Sequence, residues 1–254
     1  MLDDAIMDIL ELAVDRYVAG ERDWLLPINL GDDGQGLNVV RQADYLSMQI
    51  KEFRSVVVHA AISSIAAQSA SSPTIRLFHD QLVTKPPYTP TSDTRVGWHT
   101  DRAYWTTCSS KEMISAWVPV HDVSEEMGPL AVWDRSHLWP GVERLHNFVV
   151  TDLESIEAQF RAQGLEPEIT TLPMRRGQVS FHHCRLVHGG YANRSKMPRY
   201  AYTIHMQDAD NRYSLPTTTA GKQGHINDLL CRRTTNGLPD YSDPDVFPVL
   251  WPCP

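Results

Sequence analysis

Residues 175–200 read RRGQVSFHHCRLVHGGYANRSKMPRY, and they decide the fold. A turn at Arg176-Gly177 opens a β-rich run that reaches His188, where Gly189-Gly190 breaks it. After the polar turn GGYANRS, a second β-rich run, RYAYTIHMQ, begins at Arg199. Short apolar-polar runs punctuated by Gly, Asn and Ser predict paired strands, because those residues accept the sharp reversals between strands.

The same texture extends upstream. TIRLFHDQLVTK (74–85) alternates as a half-buried strand does, and MISAWVPVHDV (113–123) places Ile114, Ala116, Val118 and Val120 on one face. Turn signals KPPYTPTSD and EEMGP lie between the runs. Before Pro73 the pattern is helical. Ile6, Ile9, Leu10, Val14 and Val18 recur at helical intervals over residues 2–18, and an Ala-rich second helix is expected over about 42–70. Short strands with helices gathered at the front predict a mainly β fold with flanking helices, built as a double-sheet jelly roll.

One domain is expected for 254 residues. Its parts are a helical segment about 1–72, a core about 73–207 and a covering segment about 208–254 carrying Phe247, Leu250 and Trp251. An insertion over about 134–172 holds one helix, TDLESIEAQFRAQG, with Thr151 and Glu154 as a capping box and Gly164 as its stop. Insertions over a rigid barrel often shape a binding site.

Formal charge is −8, with no lysine/arginine run, which disfavours nucleic acid and anionic membrane as partners. The acidic start lacks a basic n-region and predicts no secretory leader. No apolar run is long enough to span a bilayer. Cys108, Cys184, Cys231 and Cys253 are scattered without paired spacing, which suits reduced thiols and a cytoplasmic setting.

The chemistry sits in two places. GWHTDRAYW (97–105) holds His99 and Asp101 two residues apart, and on a strand such positions share a face. His188 closes the later run. Two imidazoles and one carboxylate make the facial triad that suits non-haem Fe(II), with sites left open for a co-substrate and O2. Arg199 opens the next strand, and a guanidinium fork can grip the distal carboxylate of a 2-oxo diacid.

These residues resemble the phytanoyl-CoA dioxygenase-like group of iron/2-oxoglutarate oxygenases. The resemblance rests on Trp98-His99-Thr100-Asp101, on Gly128-Pro129-Leu130 with Ser136-His137, and on His188 with Arg199 eleven residues later. It covers about residues 76–207 and implies a double-stranded β-helix with iron at its open end. His99, Asp101 and His188 would be the metal ligands. Arg199 would anchor 2-oxoglutarate, with Lys85 and Gln81 as helpers on the upstream strand. Dioxygen would be consumed as 2-oxoglutarate decarboxylates to succinate and CO2, and a C–H bond of a small organic molecule would be oxidised. Hydroxylation of a secondary metabolite is the default outcome.

Two positions depart from the group's pattern. Many relatives have Gln where this chain has Thr100, and many have a hydroxyl residue where it has Gly190. Related halogenases have a small residue at the carboxylate position, which Asp101 fills here, so halogenation is disfavoured.

His182, His183 and His205 are read as hydrogen-bonded structural histidines. Tyr104, Trp117, Trp133 and Tyr191 are candidate substrate surfaces, and Arg135 and His137 candidate polar contacts. A cupin-like metal hydrolase or isomerase would use the triad while leaving Arg199 idle. A non-catalytic jelly roll that binds metal and 2-oxoglutarate would never form succinate. The residues are silent on oligomeric state.

Overall fold

A computed structural model describes residues 1–28, 38–215 and 224–252. Cys253 lies outside the described residues. Helix α1 (Asp4–Val18) starts where the Asp3 side chain accepts a hydrogen bond from the Ile6 amide, and it buries Met7, Leu10 and Val14. The single long helix expected over 42–70 is instead a strand and two helices: β1 (Arg41–Asp44), α2 (Lys51–Val57) and α3 (Ala60–Ser69). Two features account for the breaks. Tyr45 adopts a left-handed conformation that ends β1, and the β-branched run Val56-Val57-Val58 gives way to an extended His59 between the helices.

The strands are β2 (Ile75–Lys85), β3 (Val96–His99), β4 (Ile114–Pro119), β5 (Leu130–Trp133), β6 (Ile169–Leu172), β7 (Ser180–His183), β8 (His188–Gly190), β9 (Arg199–Asp208) and β10 (Val249–Trp251). They form two antiparallel sheets. The larger runs β1-β2-β9-β4-β7, with β10 pairing the start of β2, and the smaller runs β3-β8-β5-β6. This is the expected jelly-roll architecture. β1 and β10 come from the segments expected to be helical and covering, and they extend the larger sheet at opposite ends of β2.

The run expected as one strand from 178 to 188 is two. β7 belongs to the larger sheet and β8 to the smaller, so residues 184–187 carry the chain from one sheet to the other. The insertion is also shorter than expected, because β6 pairs with β5 inside the barrel. Its helix, α5 (Leu153–Arg161), is capped by Asp152, whose carboxylate accepts from the Ser155 amide, and not by Thr151. Gly164 follows with a positive φ, as a helix stop does.

The larger sheet has two chemically different faces. Its outer face, with Ile114, Ala116, Val118, Tyr202 and Ile204, packs against Leu10, Phe53, Val56 and Ile62 of the helices. Each fully buried Leu, Ile or Phe there contributes about 1.5–3 kcal/mol. Asp80 is also buried on that side, where it accepts from the Ser47 amide at 2.9 Å, the Ser47 hydroxyl and the Tyr202 hydroxyl at 2.7 Å. The inner face carries ionisable groups toward the space between the sheets.

Candidate active site

That space is a cavity of 640 Å3 within the jelly roll. His99 is the last residue of β3 and stands opposite His188, the first of β8, so the two imidazoles come to 4.2 Å between ring centroids. Thr100 is extended, and Asp101 begins a short helical turn, α4 (Asp101–Tyr104). The sequence spacing implied a strand through Asp101, and the extended Thr100 keeps both ligands on one side even though the strand ends earlier.

The possible ligand atoms of His99, Asp101 and His188 lie within 4.8 Å of one another, and all three residues are buried. His99 Nδ1 faces the Gly97 carbonyl at 2.8 Å, and His188 Nδ1 the Leu186 carbonyl at 2.9 Å. Each Nδ1 is thereby the N–H donor, and Nε2 keeps the lone pair a metal needs. Burial lowers both imidazoles below their ordinary range, which favours the neutral, ligating form. Ser115 donates to Asp101 Oδ2 at 2.6 Å and orients the carboxylate. Two imidazoles and one carboxylate with fixed tautomers fit a divalent iron and leave coordination positions open toward the cavity.

His182 and His205, expected as hydrogen-bonded structural histidines, both stand beside Asp101, and His205 Nδ1 also lies 2.7 Å from the Ser115 hydroxyl. His182 Nε2 is 3.3 Å and His205 Nδ1 3.6 Å from Asp101 Oδ2, and both rings line the cavity. His183 faces Glu112 and His137, away from the triad.

The other pole of the cavity is cationic. Lys85 and Arg199 are direct partners in the β2–β9 register, 0% and 3% exposed, and both line the cavity. Lys85 Nζ donates to the Tyr191 carbonyl at 2.6 Å and the Gly128 carbonyl at 3.1 Å. Arg199 lies 5.6 Å over the Trp117 ring, and its Nε and Nη1 have no hydrogen-bond partner. Burial pushes the Arg199 guanidinium down to about 9, and burial together with Arg199 holds Lys85 well below the usual lysine range. Among the described residues neither cation has a carboxylate within ion-pair distance, and such buried charges are costly, so an anionic ligand relieves them.

Gly190 explains one departure from the group's pattern. A Cβ there would come within 2.8 Å of the Pro129 carbonyl and 3.0 Å of Lys85 Nζ, so the lysine ammonium occupies the space a larger residue would need. Thr100 explains the other. Its hydroxyl donates to the Val142 carbonyl at 2.9 Å, and its amide to the Leu145 carbonyl at 3.2 Å. These bonds, with that of the Gly97 amide to the Phe148 carbonyl at 2.9 Å, strap residues 142–150 along β3. Phe148 then lies 5.1 Å from the His99 ring. Trp98 anchors α5 from the other side, its Nε1 donating to Glu157 at 3.1 Å.

Of the candidate substrate residues, Tyr104 and Trp117 line the cavity. Trp133 does not: it is buried in a cluster with Trp98 and Val187. Arg135 is an exposed left-handed residue beside Asp134, and His137 packs on His183. Tyr191 is exposed and contributes its carbonyl, and not its ring, to Lys85. Gln81 lines the wall, but its amide is engaged with Gln42 and Asp44 and does not stand free beside Arg199. The sequence reading missed His79, His225 and Phe148. His79 was within reach, since alternation on β2 puts it on the face of Gln81 and Lys85.

The sequence profile of the phytanoyl-CoA dioxygenase (PhyH) family matches residues 29–201. Peroxisomal phytanoyl-CoA dioxygenase of Bos taurus is 25% identical over 153 residues, covering 56% of this chain and 42% of that protein. The Homo sapiens enzyme is 26% identical over the same shares. The chain thus spans less than half the length of these relatives. Among solved structures, the non-haem α-ketoglutarate-dependent carbocyclase SnoK from nogalamycin biosynthesis superposes with a TM-score of 0.72 at 24% identity, covering 98% of this chain and 88% of its own. The epimerase SnoN in complex with Fe3+, α-ketoglutarate and nogalamycin RO gives 0.67 at 23%, covering 98% and 91%. EctD from S. alaskensis with 2-oxoglutarate and 5-hydroxyectoine gives 0.67 at 18%, covering 88% and 75%. No helix among the described residues is long and apolar enough to cross a membrane. With the profile matching well over half of the chain, this protein belongs to the phytanoyl-CoA dioxygenase-like family of Fe(II)/2-oxoglutarate-dependent oxygenases.

Proposed function

We propose that the chain oxidises a C–H bond of a small organic molecule, with hydroxylation of a secondary metabolite as the default outcome, coupled to decarboxylation of 2-oxoglutarate. The observation that carries this is one cavity with two poles: the triad His99/Asp101/His188, and the buried cations Lys85, held by two backbone carbonyls, and Arg199, with two guanidinium nitrogens unpartnered. A bound Fe(II) would supply the activation of O2 and the oxidation of the substrate.

The side chains here bind, orient and shield. Arg199, with two free guanidinium nitrogens, grips the distal carboxylate of the diacid, and Lys85 adds a fixed positive charge beside it. Trp117 under the guanidinium and Leu130 on the same wall exclude water from that end. Ser115 holds Asp101, and the two backbone carbonyls hold the histidine tautomers. Phe148 and Tyr104, both on the wall beside His99, shape the approach for the substrate. The carbocyclase and epimerase among the similar folds keep ring closure and epimerisation as alternative outcomes of the same oxidation.

The test is an anaerobic titration with Fe(II) and then 2-oxoglutarate, followed by admission of O2. A weak visible charge-transfer band and succinate formation are expected, both lost in Arg199→Ala. A hydrolase or isomerase using the same ligands would show neither the band nor sensitivity to Arg199. A pure binder would show the band and no succinate.

A further inference from the structure

We infer that the cavity lobe formed by His79 and His225 is the substrate's recognition subsite, and that it takes an uncharged, ring-bearing molecule through its hydroxyl or carbonyl oxygens. This rests on the proposed function, because it assumes that the triad and the cationic pole are already taken by metal and co-substrate.

The first support is an unused hydrogen-bonding group. His79 lines the cavity at 6% exposure, and its Nδ1 is buried with no partner. An orphaned imidazole nitrogen in a cavity wall is costly unless a ligand completes it. His225 stands beside it, with ring centroids 5.0 Å apart. Its Nδ1 accepts from the Asn227 amide at 3.2 Å, so its Nε2 is the N–H donor. The backbone holds His225 in place: its own amide donates to Asp228 at 3.0 Å, and Asn227 Nδ2 donates to the Phe78 carbonyl at 2.9 Å. The covering segment thus delivers a donor next to an unsatisfied imidazole.

The second support is the surrounding surface. His79 packs on Trp105 and Tyr45 at centroid distances of 6.1 and 5.8 Å, and both of these line the cavity and offer flat apolar faces to a ring, while the fully buried Phe78 backs His79 at 5.5 Å. Burial keeps both imidazoles neutral, with His225 lowered to about 3.

The third is charge. Among the described residues, Lys85 and Arg199 are the only lysine or arginine on the cavity wall. Once they hold the diacid, no lysine or arginine among the described lining residues remains for a substrate carboxylate or phosphate, and the lining carries the Asp44 carboxylate away from the triad. An anionic substrate would lose its hydration without compensation. A coenzyme A thioester, with its phosphates, fits this lobe poorly, in contrast to the substrate that gives the relatives their name.

The test uses one ring system in four forms: 1-hydroxy-2-acetonaphthone, 1-hydroxy-2-naphthoate, its coenzyme A thioester, and naphthalene. Dissociation constants are measured anaerobically on the protein loaded with Fe(II) and 2-oxoglutarate, from the shift of the visible band and from tryptophan fluorescence. The hydroxy ketone is expected to bind about tenfold or more tighter than each of the other three, as burial of an uncompensated charge or loss of the oxygens predicts. His79→Phe should weaken it about fivefold, one neutral hydrogen bond, while leaving 2-oxoglutarate affinity unchanged; His79→Gln should restore part of the loss. Equal or tighter binding of the carboxylate or thioester, no binding of the hydroxy ketone, or indifference to His79→Phe overturns the inference. If His79→Phe fails to form the visible band, His225→Gln replaces it under the same criteria. If the wild-type protein itself forms no band, the proposed function fails, and the lobe is then decided by whether His79→Phe weakens fluorescence-detected binding of the hydroxy ketone to the unloaded protein, a comparison that does not involve the cationic pole.

Discussion

Replacing Arg199 by methionine should stabilise the protein without its ligands and destabilise it relative to wild type with them. The guanidinium is 3% exposed and, among the described residues, has no anionic neighbour and leaves Nε and Nη1 unbonded. Its fall from 12.5 to about 9 corresponds to about 5 kcal/mol of unfavourable burial at about 1.4 kcal/mol per tenfold. Loss of the contact over Trp117 gives back about 1 kcal/mol, and replacing a buried charge by an apolar side chain typically gains about 1–4 kcal/mol. A net gain of about 2 kcal/mol should raise the melting temperature by about 4–8 °C at this chain length. With Fe(II) present in both, 2-oxoglutarate at about a hundredfold excess over its Kd should add about 2.7 kcal/mol to wild type and nothing to the variant. The order of stability therefore inverts between unloaded and loaded protein. Thermal melts of both proteins, with and without the two ligands under argon, read it directly. If Arg199→Met melts lower without ligands, or still responds to 2-oxoglutarate, the assignment of an unsatisfied anchor is wrong.

Further outcomes follow from the same geometry. Gly190→Ser should push against the Pro129 carbonyl and Lys85 Nζ, at 2.8 and 3.0 Å from the new Cβ, and weaken 2-oxoglutarate binding about tenfold in a titration of the visible band. In the Lys85→Met background the same change should have a smaller effect. His79 and His225 have folded pKa values lowered by burial, so the unfolded chain binds the extra protons: stability is complete above pH 6.5 and falls as pH drops toward 3, by up to about 1.4 kcal/mol per pH unit for each imidazole. Urea midpoints between pH 7 and 4 should decline less steeply in His79→Phe. Thr100→Val removes a buried hydrogen bond to the Val142 carbonyl and should cost about 1–3 kcal/mol, while Thr100→Ser keeps it. Limited proteolysis should show faster cleavage within 142–150 in the valine variant only.

The sequence made some of this plain and hid the rest for physical reasons. The triad was legible because Thr100 keeps period-two geometry and because His188 is set apart by Gly189-Gly190. The sequence singles out Arg199 as a candidate anchor and Lys85 as a candidate helper, but not the two as strand partners, since register depends on tertiary pairing. The sheet change between His183 and His188 was hidden, because residues 178–188 are β-rich throughout and carry no Gly or Pro at the crossing. Aromatic residues near the motifs divided by fold and not by type: Trp117 faces the cavity from β4, whereas Trp133 on β5 packs beneath α5. His225 was invisible in principle, since only the folded covering segment brings it beside His79.

The strap over β3 has a consequence for self-association. β3 is the outermost strand of the smaller sheet, and the backbone groups of Gly97 and Thr100 that would be open to another chain are occupied by Phe148 and Leu145. Gly97 allows this closeness, since a Cβ there would fall 1.8 Å from the Asn147 carbonyl. The loop that walls the reaction chamber therefore also caps an adhesive border of the barrel. Any swing of that loop wide enough to exchange bulky cargo bares sticky backbone. Lineages that loosen it for larger cargo must blunt the border some other way, or clump as concentration rises.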